Sequence, residues 1–131
     1  VHGDLAERLA ERGARLHEVR KELLRQEPGT TQRWFQGHDC DLFLWYDGER
    51  GLSQVQLTFE GRVVEWAAGE QLKTGRLVAF DPRTPLVDRG RIVFDPAPDA
   101  ETLALSRALL SRAGVDELTL LLLRKRLLAR E

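Results

Sequence analysis

The amino-acid sequence predicts an α+β domain: an antiparallel β-meander of about five strands, flanked by an N-terminal helix and two C-terminal helices. Three observations carry that expectation. A single apolar stripe runs through the first 26 residues, the block from Arg33 to Ala68 alternates apolar with polar side chains, and leucine-rich segments follow two aspartates near the end. One domain over residues 1–131 is expected, with the N-terminal helix at 4–26, the sheet at 31–94 and the C-terminal helices at 99–130.

In the first helix Leu5, Leu9, Leu16, Val19 and Leu23 recur at three-, four- and seven-residue steps, which places them on one face. Asp4 suits the first turn as a cap, and Pro28-Gly29 ends the pattern. Packing of this stripe on the sheet is expected, because short helices owe most of their stability to such contacts.

Strands are expected at Thr31–Gln36, Asp41–Asp47, Leu52–Glu60, Arg62–Ala68 and Gly75–Phe80, with a last one at Arg91–Phe94. In the third, Ser53, Val55, Leu57 and Phe59 point one way and Gln54, Gln56 and Thr58 the other. A two-residue turn at Glu60-Gly61 would pair Leu57 with Val64 and Val55 with Trp66 on the apolar face, and Gln56 with Glu65 on the other. Trp66 is accordingly expected in the core. The preceding run, Leu42 to Tyr46, is apolar on both faces and so predicts cover on both sides. If Asp47-Gly48 alone made the next turn, Leu42, Leu44 and Tyr46 would share a face with Val55. A three-residue loop closing at a left-handed Gly51 would put Phe43 and Trp45 there instead. Glu49-Arg50-Gly51 suits this longer loop, which is the expected arrangement.

Asp81 to Gly90 is rich in Pro, Arg and Asp and reads as an exposed loop, and Asp95-Pro96-Ala97-Pro98 is a second break. Asp99 then caps a helix ending near Gly114. Asp116 caps a final helix, Glu117 to Arg130, with Leu118, Leu121, Leu122, Leu127 and Leu128 as its expected apolar face.

Composition narrows the function. Of 131 residues, 42% are hydrophobic and 31% charged, ordinary for a globular protein. The net charge of -1 supplies no surplus of cations to displace counterions from phosphates, so nucleic acid is not expected as a partner. The two helices separated at Gly114 invite comparison with a helix-turn-helix, but the second opens on Asp116-Glu117, which would repel phosphate. Arg124-Lys125-Arg126 complements the dipole of its own helix. No apolar run reaches the roughly eighteen residues that a membrane span needs, and no membrane role is expected. Cys40 is the only cysteine, which fits a reducing, cytoplasmic compartment. Methionine is absent, so the natural N-terminus is expected to have been trimmed or replaced.

Two clusters could carry chemistry. His38-Asp39-Cys40-Asp41 gathers nucleophile, base and ligand types, but neighbours on a hairpin diverge and a Cys–His pair must converge. No further ligand at a zinc spacing accompanies it, so it reads as a polar turn with a buried Cys40, and neither a metal nor a cofactor is expected. The second cluster is Gln54, Gln56 and Glu65 beside Trp45 or Tyr46, with Arg33 and Trp34 from the first strand and His38 near the rim. A polar sheet face edged with aromatics is a candidate surface for a ligand or a partner.

Three apolar helix stripes also exceed what one small sheet face accommodates, since two helices 8–10 Å apart fill most of about five strands. A homodimer joined through Leu121, Leu122 and Leu128 of the last helix is therefore expected. These features favour a non-enzymatic domain that binds a protein partner or itself. The alternative is a small-ligand binder or an enzyme using the Gln54/Gln56/Glu65 face, and a deep pocket at Glu65 or His38 would favour it.

Arg33-Trp34-Phe35, Asp41-Leu42-Phe43-Leu44-Trp45-Tyr46-Asp47, Val55-Gln56-Leu57 and Trp66 follow a pattern R-W-F, D-L-F-x-W-x-D, F/V-Q-L and a tryptophan strand. In this, about a third of the chain resembles a group of short bacterial proteins that carry no assigned function. The resemblance implies a bacterial origin and no particular activity.

Overall fold

A computed structural model describes residues 2–20, 30–48, 51–78 and 92–127. The chain is α+β. Helix α1 (His2–Ala14) leads into strands β1 (His17–Glu18), β2 (Thr30–Gly37), β3 (Cys40–Asp47), β4 (Gly51–Phe59), β5 (Arg62–Ala67), β6 (Lys73–Leu77) and β7 (Ile92–Phe94). Helices α2 (Ala100–Leu110) and α3 (Glu117–Arg126) follow. Among the described residues the sheet has seven strands rather than about five, antiparallel throughout, and its spatial order is the order of the chain. Strand β7 matches the last strand expected at Arg91–Phe94 and β1 is the addition; both are short edge strands.

The first helix is shorter than the expected 4–26. It stops at Ala14 because Gly13 lies against the backbone of α2: a Cβ there would sit 1.7 Å from the Leu109 carbonyl oxygen. The Gly13 carbonyl accepts from the Leu16 N–H at 3.1 Å and from the Gly114 N–H at 2.9 Å, bonds that no continuing α-helix would make. Leu16 still reaches the core, and His17 and Glu18 pair with Gln36 and Phe35. Leu23, the Asp81–Gly90 loop and Leu128 lie outside the described residues.

The β4–β5 hairpin has the expected register: Val55 faces Trp66, Gln56 faces Glu65 and Leu57 faces Val64. Its turn takes positive φ at both Glu60 (50°) and Gly61 (72°), the twist that tight hairpins prefer. Trp66 is half-buried at the margin of the core rather than inside it, with the Arg126 guanidinium 5.4 Å from its ring centre.

The β3–β4 pairing differs from expectation. Gly51 does take a left-handed φ of 78°, and Asp47 pairs with Gly51 and Tyr46 with Leu52. The register then shifts, and Trp45 pairs with Gln54. Ser53 is the extra residue of a β-bulge. Its hydroxyl donates to the Trp45 carbonyl at 3.0 Å, while its own carbonyl accepts from the Ala68 N–H at 3.0 Å. The bulge allows Leu52 to share a face with Val55, Leu57 and Phe59 although it stands three residues before Val55. It also turns Leu42 and Leu44, not Phe43 and Trp45, onto that face.

That face forms the core. Leu42, Leu44, Val55, Leu57 and Val64 are fully buried there together with Leu9 of α1, Leu109 and Leu110 of α2, and Leu123 of α3. All three helices thus pack on one side of the sheet, which is wider than the estimate of about five strands allowed. The buried stripe of α3 is Thr119, Leu123 and the following Leu127, so that of the expected leucine face Leu127 is buried while Leu118 and Leu121 are not. Leu118 and Leu121 are 67% and 60% exposed, and Leu122 is half-buried. Among the described residues, no helix is long and apolar enough to cross a membrane.

Candidate functional site

The side of the sheet opposite the helices carries the polar and aromatic residues that the sequence singles out. Pairing aligns them in rows across the strands. One row runs Trp34, Phe43, Gln56, Glu65 and Lys73; beside it run Gln32, Trp45, Gln54 and Ala67.

Trp34 and Phe43 stack with ring centres 5.4 Å apart and planes 17° apart, and Phe43 stacks on Trp45 at 5.8 Å and 22°. Alternation and the direct pairing of β2 with β3 place the three rings in contact, an arrangement worth about 0.5–1.5 kcal/mol per pair beyond the area buried. Trp34 Nε1 donates to Asp41 Oδ1 at 2.9 Å, which fixes the end of the stack. The rings spend their faces on one another. That suits a packed contact patch better than an open platform for nucleobases.

Beside the stack, Glu65 Oε1 accepts from Gln54 Nε2 at 3.1 Å and from Gln56 Nε2 at 3.0 Å. Two amides on alternate positions of β4 converge on one carboxylate because Glu65 stands directly opposite Gln56. Lys73, directly opposite Glu65 on the other side, places its ammonium 3.4 Å from Glu70 and 5.4 Å from the Phe94 ring centre. Glu65 takes no cation among the described residues. The cluster can therefore accept donors from a bound surface while its amides hold the carboxylate in place.

Trp34, Trp45, Gln54, Gln56 and Glu65 thus lie on one face. His38 does not join them: it is exposed in the β2–β3 turn, beyond the Asp41–Thr58 row. Cys40 faces the helices and is 2% exposed, so the His38/Cys40 cluster diverges. Burial raises the Cys40 thiol above its usual pKa, and Asp41 and Asp39 add to the shift against the opposing charge of Arg12. We expect a thiol reagent at neutral pH to label native Cys40 only as fast as the protein opens. Labelling as rapid as that of a free thiol would contradict the buried position. Among the described residues, no group of three or more His, Cys, Asp or Glu side chains could hold a metal ion.

Arg33 lies on the helix side rather than beside Trp34 on the polar face. Its Nε and Nη2 donate to Glu18 at 2.8 and 2.9 Å, Nη2 donates to Asp116 at 2.9 Å, and Nη1 donates to the Thr119 hydroxyl at 3.0 Å. Asp116 caps α3, accepting from the Thr119 N–H and hydroxyl. Helix α2 is joined to the sheet in the same way. Asp99 is its cap and accepts from the Thr102 N–H and hydroxyl, while Arg62 of β5 donates to the Thr102 hydroxyl at 2.8 Å and lies 3.6 Å from Asp99. The signal was present as a repeated D-x-x-T at 99–102 and 116–119, with an arginine facing each from a strand.

Glu18 holds the Arg33 pKa above its usual value against the opposing effect of burial, and Asp116 adds to it. Burial raises the Asp116 carboxyl, but the bonds from Thr119 and Arg33 outweigh it and the net shift is downward. A depressed carboxyl contributes stability that is present above its unfolded pKa of about 4 and is lost as pH falls through the folded value. Arg33→Ala should cost about 1–2 kcal/mol at neutral pH, since water screens its bonds to the exposed Glu18 and Asp116 and only its bond to the Thr119 hydroxyl is partly buried. Urea melts should show a smaller penalty in acid, once the pH has fallen through the depressed folded pKa of Asp116. An equal penalty at both pH values would assign the effect to packing instead.

Among the described residues, two grooves lie elsewhere. One, about 340 Å³, runs between α1 and α2 around Ala6, Ala10 and Ala108; the other, about 270 Å³, lies by Leu72, Lys73, Phe94 and Pro96. Neither is lined by His38 or by the Trp34, Trp45, Gln54, Gln56 and Glu65 face. In comparisons with known proteins, no family model matches the chain, and neither a curated protein nor a solved structure matches it.

Proposed function

We propose that this chain is a non-enzymatic interaction domain that docks a protein partner on the sheet face opposite its helices. The observation that carries this reading is the stack of Trp34, Phe43 and Trp45 lying flush beside Gln54, Gln56 and Glu65, all of them half-buried. Aromatic side chains with a few placed hydrogen-bonding groups are the composition of interface centres, where charged residues are scarce. The partner that fits would offer an apolar edge to the stack and hydrogen-bond donors to Glu65. The rival, a small-ligand or enzymatic site on the same face, calls for a concavity at Glu65 or His38, and neither groove supplies one. The proposal extends to self-association through α3. It extends also to a cytoplasmic setting, supported by the lone buried thiol of Cys40, and to a bacterial source, supported by the strand pattern.

The test is affinity capture from native extract with two baits, the wild-type chain and a Trp45→Ser, Gln54→Ala variant shown to melt at the same temperature. A protein retained by the wild type and lost by the variant supports the reading. Equal retention by both would remove this face as the docking surface.

A further inference from the structure

We infer that the exposed stripe of α3 binds the same stripe of a second copy, with the two helices antiparallel and Leu121 on the two-fold axis. This rests on the reading of the chain as an interaction domain but uses a different surface from the sheet face.

At 100° per residue, Leu121 stands at the centre of the exposed side of α3. Glu117 and Lys125 flank it one turn away in either direction, and Leu118 and Arg124 lie at its borders. All five are exposed, with Leu118 at 67% and Leu121 at 60%. The opposite side, Thr119, Leu123 and Leu127, is spent on the core. Two leucines on the solvent side of a helix that already has a buried stripe are not needed for folding.

Charge decides which partner fits. The stripe is acidic at its start, with Glu117, and basic at its end, with Arg124 and Lys125. None of these three has an ion-pair partner among the described residues. A two-fold axis through Leu121 maps each position to its mirror in sequence, so residues three and four before it meet residues three and four after it on the other copy. Glu117 then faces Arg124 and Lys125 of the second copy, and the Lys125 stem covers Leu118. A two-fold contact must be self-complementary, and this stripe is. The antiparallel arrangement also opposes the two helix dipoles, which a parallel pair would align. A parallel pair would set Glu117 against Glu117 and Lys125 against Lys125.

One ten-residue helix offers less than the roughly 800 Å² per partner that standard interfaces bury, so the pair belongs to the weak class and should loosen with salt. Its effect is best read by trapping. Leu121→Cys, at the axis, should form a disulfide dimer under mild oxidation at least about ten times faster than Arg112→Cys, an exposed position in the turn that follows α2, away from the stripe. Native Cys40 is 2% exposed and stays out of the reaction. In the Leu121→Cys background, Glu117→Lys should slow trapping, and adding Arg124→Glu and Lys125→Glu should restore it. Circular dichroism confirms that each variant is folded. Trapping at Leu121→Cys no faster than at Arg112→Cys would overturn the pairing, whatever the sheet-face variants do. Fast trapping that charge reversal leaves unchanged would overturn the antiparallel arrangement.

Discussion

Gly13→Ala is expected to destabilise the protein by about 3 kcal/mol, the upper end of the usual cost of forcing a side chain into a packed site. The new Cβ would sit 1.7 Å from the Leu109 carbonyl oxygen and 2.8 Å from its carbon. Both are backbone atoms, so no rotamer change relieves the clash. Moving α2 away would draw Leu109 and Leu110, both fully buried, out of the core. It would also stretch the 2.9 Å bond from the Gly114 N–H to the Gly13 carbonyl. Gly51→Ala is the informative control, because Gly51 has a φ of 78° but open space around a Cβ. It should cost only about 1 kcal/mol, the conformational penalty alone. Urea midpoints compare the two, and a Gly13→Ala midpoint at or above that of Gly51→Ala would mean that α1 and α2 do not approach as described.

The second large effect is expected at Leu44. It is fully buried and pairs with Val55, so Leu44→Ala should cost about 3–5 kcal/mol, as large-to-small changes do where the surroundings relax little. Phe43, one residue earlier, is on the opposite face and half-buried, and Phe43→Ala should cost about 1–2 kcal/mol, mostly lost stacking. The contrast reports on Ser53. If the loop at 48–50 were followed by an unbroken ladder, Phe43 would take the core position and the order of the two costs would reverse. Thermal or urea melts of both variants decide it.

That pair of residues also marks how far the sequence could be read. The β4–β5 register was legible because a two-residue turn leaves one pairing and the apolar and polar faces agree with it. The β3–β4 register was not, because β3 is apolar on both faces and either alignment buries something. The clue was the three-residue step from Leu52 to Val55, which strict alternation forbids and a bulge at Ser53 explains. Helix α3 misled in a similar manner. Its leucines at 118 and 121 looked like the buried face, while the true stripe begins with Thr119, whose hydroxyl is satisfied by Asp116 and Arg33. Hydrophobicity alone cannot show that a polar side chain is buried when its partners come from another element. Helix α1 ended early for the same kind of reason, since the Leu109 backbone that Gly13 meets is about a hundred residues away. The polar face was more accessible. Gln54, Gln56 and Glu65 fell together on alternation alone, and the same alternation sets Arg33 on the other face from Trp34; what alternation could not show is that Glu18, Asp116 and Thr119 meet Arg33 there.

The order of the strands has a consequence for how the molecule opens and closes. Every rung of the sheet joins neighbours in the chain, so the ladder can zip from strand to strand with no closure longer than the fourteen residues between β6 and β7. The seam between α1 and α2 is a clasp of another kind, bringing together Gly13 and Gly114. Closing about a hundred residues costs roughly 2 kcal/mol more chain entropy than closing ten. A zipped sheet shortens that span before the clasp is made, so chain entropy favours the clasp as a late step of assembly. It is also the joint at which the structure can part while the ladder stays whole, releasing α1 from a sheet that is still paired.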